Sequence, residues 1–143
     1  MKKILFLTLL AATLSFAEME KEMTVYKTPY CGCCGNWIKA MEKEGFKINT
    51  IVKDDFHEVK EANGITGKTS SCHTALIDGY VIEGHVDYSA IKRLLTEKPK
   101  DIRGLTVPGM VVGSPGMEMG NKKDPYNILA IKKDGSTEIY EKH

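Results

Sequence analysis

Thr28-Pro29-Tyr30-Cys31-Gly32-Cys33-Cys34-Gly35-Asn36-Trp37 puts three thiols in four residues, at the point where an extended run gives way to a helical one. The fourth cysteine is Cys72, so every cysteine of the chain is a candidate for one site. Upstream, residues 23–28 alternate as a strand, and Pro29 ends it because proline has no N–H to give to a ladder. Downstream, Trp37, Ala40 and Met41 recur at helical spacing from Cys33 onward, and Gly45 stands where a helix reverses its backbone to stop. The thiols therefore fall on a first helical turn. Unpaired N–H groups and the helix dipole favour negative charge there and lower a thiol's pKa. A thiolate is at once a redox nucleophile and a soft metal ligand, and these are the two chemistries to separate.

Working outward, residues 46–53 read as a second strand. Asp54-Asp55 then stands where it can cap a second helix through Phe56, Val59 and Ala62 that ends at Gly64. A polar stretch over 67–71 leads to Cys72 and His73. Two apolar runs follow, 74–77 and 80–83, joined by Asp78-Gly79, a strong hairpin signal. Asp87 caps a third helix whose Ala90, Ile91, Leu94 and Leu95 make one apolar face, closed by Pro99. Residues 101–121, rich in glycine and proline, read as a loop. Residues 127–131 and 137–140, joined across Asp134-Gly135, predict a final hairpin.

The order βαβαββα, with the Cys-x-x-Cys spacing of Cys31 and Cys34 at the first strand-to-helix junction, is that of an α/β, thioredoxin-like fold. A C-terminal Met/Gly/Pro loop and β-hairpin are added to it. In such a fold the turn entering the third strand lies beside the dithiol and normally carries a cis-proline. Cys72-His73-Thr74 stands there instead, so a fourth thiol takes the place of the proline that usually keeps metals away.

The N-terminus limits which chemistry applies. Lys2 and Lys3 precede an apolar run over 4–14, and Ser15-Phe16-Ala17 supplies small residues three and one positions before a cut ahead of Glu18. That is the pattern of a secretory signal peptide over 1–17, followed by a single domain over 18–143. The apolar run is shorter than the roughly 20 residues a spanning helix needs. The expectation is a periplasmic or otherwise exported protein, free of the membrane after cleavage. Removing two lysines from the 20 basic residues leaves 18 against 19 acidic ones, which argues against a nucleic-acid or lipid-headgroup surface.

Three readings of the cysteines follow: soft-metal binding, metal-free dithiol exchange in which Cys31 attacks and Cys34 resolves, and structural disulfides. Four cysteines in an oxidising compartment commonly form two staples. Adjacent Cys33 and Cys34, however, would make a strained pair, and crowded thiols close no sizeable loop. Soft thiolates select Cu(I), zinc or iron–sulfur centres. Structural zinc favours paired knuckles or added histidines in a tetrahedral array, a poor match for three ligands from one tight turn. Cu(I) accepts two or three thiolates and lets sulfurs bridge several ions. The metal reading takes Cys31, Cys33, Cys34 and Cys72 as ligands to Cu(I), in a single or multinuclear centre. His73 is a candidate ligand, or an imidazolium that keeps the thiolates ionised. His85 reads mainly as a hydrogen-bonded turn residue, and His57 and His143 as solvated. Met110, Met117 and Met119 offer thioethers, which need no deprotonation, or else cap apolar surface. Trp37 reads as core, one turn after the thiols.

Four stretches in order resemble the exported metal-binding proteins of the CopG type, a copper-resistance family long described as a domain of unknown function. They are residues 28–37 quoted above, then Ser71-Cys72-His73-Thr74-Ala75, then Tyr80-Val81-Ile82-Glu83-Gly84-His85-Val86, and last Val107-Pro108-Gly109-Met110 with Gly113-Ser114-Pro115-Gly116-Met117-Glu118. The resemblance covers nearly all of residues 26–118. It implies a thioredoxin-like fold, an envelope or periplasmic location, and Cu(I) held by the Cys-x-Cys-Cys set and the later cysteine, here Cys31, Cys33, Cys34 and Cys72. Its partners would be copper ions and an envelope copper-transport or copper-oxidising protein. Met110, Met117, His73 and His85 carry over at motif level only, and the C-terminal hairpin lies outside the motifs. The expected function is sequestration or transfer of Cu(I) in copper homeostasis, and the alternative is a thiol–disulfide oxidoreductase using Cys31 and Cys34.

Overall fold

In the computed structural model, which describes residues 21–143, alternation sets the first element. In β1 (Glu22–Lys27), Met23 and Val25 point into the core between outward neighbours. The signal peptide expected over 1–17 lies outside the described residues. The chain continues through α1 (Gly32–Lys43), β2 (Lys47–Val52), α2 (His57–Ala62), β3 (Thr74–Ile77) and β4 (Tyr80–Glu83). It ends with α3 (Tyr88–Glu97), β5 (Ile102–Thr106), β6 (Asn127–Lys132) and β7 (Thr137–Lys142). Among the described residues the fold is α/β: one seven-stranded sheet in the order β2-β1-β3-β4-β5-β6-β7, with three helices.

Local chemistry explains most boundaries, although Phe56, not the expected Asp54-Asp55, is the N-cap of α2, with Asp55 Oδ1 accepting the His57 N–H at 2.9 Å. Parallel pairs need a crossover, and α1 joins the parallel β1 and β2 while α3 joins the parallel β4 and β5. Asp78 and Gly79 both take positive φ, 52° and 81°, which matches the right-handed twist of the β3–β4 hairpin. Asp87 caps α3 by accepting the Ser89 N–H at 2.8 Å. α1 buries Cys34, Trp37, Ile38 and Met41, and α3 buries Ala90, Ile91, Leu94 and Leu95. With strand residues such as Ile82, Leu105 and Ile128, the aliphatic and aromatic members of these faces form one apolar core. Among the described residues no helix is long and apolar enough to cross a membrane.

The segment 101–121 departs from the expected uninterrupted loop, because its first part is β5, paired in parallel with β4. A Cβ on Gly104 would stand 1.8 Å from the Val81 carbonyl oxygen. Close approach of two backbones demands glycine at that point, so a residue that looks like a loop signal is a packing requirement. The final hairpin, β6–β7, forms where it was expected.

The pairing register places the site. Tyr26 pairs with Thr74, Thr74 with Glu83, and Glu83 with Thr106. The exit of β1, the entry to β3 and the exits of β4 and β5 therefore lie at one end of the sheet. Cys31, Cys72, His85 and the methionine loop all hang from those four ends.

Candidate metal centre

Cys31 occupies the N-cap position of α1, and its side chain makes no capping hydrogen bond. Cys33 is half-buried and Cys34 fully buried. Cys31 and Cys34 are joined in a disulfide, whereas Cys33 and Cys72 are free thiols. Cys33 Sγ lies 3.6 Å from Cys31 Sγ, and Cys34 Sγ lies 3.7 Å from the Cys72 carbonyl oxygen. The four sulfurs all fall within 4.8 Å of one another. All four cysteines singled out in the sequence thus converge.

A second group shares Cys72. Its sulfur stands 3.4 Å from His73 Nδ1 and 3.1 Å from His85 Nε2, and the three ligand atoms again lie within 4.8 Å of one another. His85 Nδ1 is 2.7 Å from the Pro115 carbonyl oxygen. A carbonyl only accepts, so Nδ1 carries the proton and the Nε2 lone pair is directed toward Cys72. A backbone carbonyl behind one ring nitrogen, with the other facing the ligand position, is the usual arrangement of a metal-binding imidazole. The sequence placed His85 mainly in a turn. Its site role depends on Pro115, thirty residues away.

His73 is enclosed, its ring centroid 4.5 Å from that of Trp37 and 5.1 Å from that of His85. Among the described residues its Nε2 has no hydrogen-bond partner. Burial, with His85 and Lys60 nearby, lowers its pKa to about 3, and burial lowers that of His85 as well. Both rings are therefore neutral near pH 7, and the thiolate-stabilising imidazolium considered for His73 does not form. Burial also pushes the Cys72 thiol up to about 11, with the Cys33 sulfur adding to the effect. Without a cation Cys72 keeps its proton and donates toward His85 Nε2. A soft cation would displace that proton.

The loop after β5 closes over the helix start. A Cβ on Gly116, whose φ is +83°, would stand 2.6 Å from the Trp37 nitrogen and 3.0 Å from the Cys33 oxygen. Pro115-Gly116-Met117 therefore lies flat against the first turn of α1. Met117 is half-buried, while Met110 and Met119 are 60% and 61% exposed. Tyr30, next to Cys31, is 89% exposed. Trp37 is core, as expected, with its Nε1–H donating to the Val86 carbonyl at 2.9 Å, and its ring also walls His73. His57 is exposed, but His143 is not solvated, because it stacks on Tyr126 with ring centroids 4.8 Å apart.

Sequence reading missed two residues, Lys60 and Glu83. Their buried ion pair is hydrogen-bonded to Ser71 and Thr74, which flank Cys72-His73. The available signal was a glutamate ending the otherwise apolar run Tyr80-Val81-Ile82-Glu83.

Residues 69–117, which carry Cys72, His73, His85 and much of the methionine loop, match a family model described as "Protein of unknown function, DUF411". Two solved structures of a protein described as copper resistance protein copG are similar to the chain. Form 2 is 38% identical with a TM-score of 0.81, covering 86% of this chain and 98% of that one. Form 1 is 39% identical with a TM-score of 0.81, covering 85% of this chain and 96% of that one. Among curated proteins, none matches.

Proposed function

The chain belongs to the CopG copper-resistance family, and from that premise we propose that it is an exported, single-domain protein that binds Cu(I) through Cys31, Cys33, Cys34 and Cys72. It sequesters the ion or passes it to an envelope copper-transport or copper-oxidising protein. The observation that carries this reading is the convergence of four sulfurs from two separate segments within 4.8 Å. Thiolates are soft and select soft cations, and a crowded set lets one sulfur bridge two ions, so the site suits one Cu(I) or a small cluster. His85 Nε2 adds a neutral donor beside Cys72. Export is supported by the leader pattern of residues 1–17.

Binding requires the reduced state. The Cys31–Cys34 disulfide takes two of the four sulfurs out of use as anionic ligands. An anaerobic competition titration of the reduced protein tests the proposal: Cu(I) should bind more tightly than Zn(II), and Cys33→Ser and Cys72→Ser should each weaken it. Unchanged affinity in Cys72→Ser would remove the two-segment site. Loading should also shield the thiols, so that in air the apo protein oxidises and the copper form does not. Equal oxidation of both would put the metal elsewhere.

The disulfide itself favours a second reading, a thiol–disulfide oxidoreductase. Cys31 is partly exposed and Cys34 buried, which suits the first as attacking and the second as resolving thiol. Metal analysis of anaerobically purified protein, with a free-thiol count before and after chelation, separates the two.

A further inference from the structure

The turn that carries Cys72 lies outside the named strands, bridged at Ser71 to Gly109, and its other side-chain bonds lead to a buried ion pair. The Glu83 side chain is fully buried and that of Lys60 is 13% exposed. Glu83 Oε1 accepts the Ser71 N–H at 2.7 Å and pairs with Lys60 Nζ, while Oε2 accepts the Thr74 hydroxyl at 2.6 Å. Lys60 Nζ also donates to the Ser71 carbonyl at 3.1 Å and to Thr74 Oγ1 at 3.0 Å. Both charged groups thus spend their hydrogen bonds on Ser71 and Thr74, the residues on either side of Cys72-His73. Glu83 also lies two residues before His85, the imidazole that faces Cys72 Sγ.

A buried ion pair contributes little net stability, because desolvating two charges offsets most of their attraction, and apolar replacements of similar volume are often neutral or better. Stability alone therefore gives weak reason for charges at this turn. The two groups do what an apolar pair cannot, which is to hold two backbone groups and a hydroxyl in fixed directions. We propose that Glu83 and Lys60 are positioning residues for Cys72: from β4 and α2 they clamp Ser71 and Thr74, and so set the Cys72 sulfur against the thiols of α1 and against His85 Nε2. The proposal rests on the copper reading for its consequence, though not for its geometry.

The test is the double variant Lys60→Met/Glu83→Gln, which removes both charges and leaves neither unpaired. Cu(I) affinity of the reduced protein, measured by competition, should fall by about tenfold or more, the scale on which losing a partner that orients a ligand acts. The same double change made in Cys72→Ser should cause no further loss, because the pair acts through that sulfur. A purely structural role would weaken both backgrounds equally or neither, and either result overturns the proposal. A second readout needs no copper. In the oxidised apo protein, alkylation of Cys72 relative to Cys33 should rise several-fold once the turn is released, and an unchanged ratio overturns the proposal. If the wild type binds no Cu(I), the copper reading fails and the alkylation ratio alone decides the positioning role. Should the double variant not melt cooperatively, Thr74→Val takes its place. It keeps both charges and the shape while removing the hydroxyl between them, and the same changes should appear at smaller size.

Discussion

The two segments that deliver thiols to the site are built on different principles. The first turn of α1 carries Cys31, Cys33 and Cys34 on a helix that supplies its own hydrogen bonds and buries Trp37, Ile38 and Met41 behind them. The turn before β3 carries Cys72 and His73 and is held from outside, by Lys60 and Glu83 and by a backbone bond from Gly109 to Ser70. Cys31 to Cys34 are close neighbours in sequence, whereas Cys72 meets them only through the pairing of β3 with β1. A sulfur set assembled this way has one half held by its own helix and one half held by tertiary contacts. The half held from outside should govern both copper affinity and sensitivity to conditions.

The largest expected effect tests whether both halves are needed. Cys72→Ser should weaken Cu(I) binding by more than the roughly 10–100-fold typical of losing a group that merely orients a ligand. Competition titration alongside Cys33→Ser measures it, and wild-type affinity would mean that the helix turn alone makes the site.

Acid should act on the half that carries Cys72 and His73. His73 titrates near 3 in the folded protein, against 6.5 when exposed, so between those values the unfolded chain binds the extra proton. The stability this group contributes is fully present above about pH 6.5 and is lost as pH falls toward 3. For the oxidised apo protein, denaturant melts should show a loss on the order of 2–3 kcal/mol from this residue between pH 7 and 4.5. His73→Gln should flatten the profile, and an identical profile in that variant would assign the acid loss to other groups.

Gly116→Ala probes how the two halves are closed together. Its added Cβ meets the Trp37 nitrogen in a left-handed backbone conformation, a strain of about 1–3 kcal/mol. The melting midpoint should fall, and the Pro115 carbonyl should lift from His85, weakening copper binding as well. A wild-type midpoint would show that the loop lies less closely on α1 than described.

The smallest effect concerns the methionine loop. Changing Met117 and Met119 to Leu should cost under about 1.5 kcal/mol. If the thioethers assist entry or exit, Cu(I) exchange should show a defect that grows from about pH 8 to pH 5, because thioethers do not compete with protons whereas thiolates and imidazoles do. Identical exchange throughout would make the loop a lid.

Much of this was legible in the chain itself. The period of two in β1, the helical spacing after Cys33, the Asp78-Gly79 turn and the Asp87 cap are local signals with local causes. They set the element order as far as α3 and put three thiols on a helix start. The Cys72 turn was recognisable because the expected element order placed it beside that start. Strand β5 was hidden because Gly104 answers to a neighbour, Val81, rather than to its own strand. The direction of the His85 ring was hidden because the Pro115 carbonyl that aims it is thirty residues away.

By itself, then, the sequence determined which soft thiol groups are on offer, since thiol content and spacing are properties of adjacent residues, and it determined the succession of elements from β1 to α3 and the final hairpin. Only the tertiary structure decided which histidine nitrogen faces Cys72, that both rings are neutral, and that a buried Lys60–Glu83 pair is bonded to the turn. Burial, tautomer and pKa are set by groups brought close in space, and no pattern along the chain records those distances.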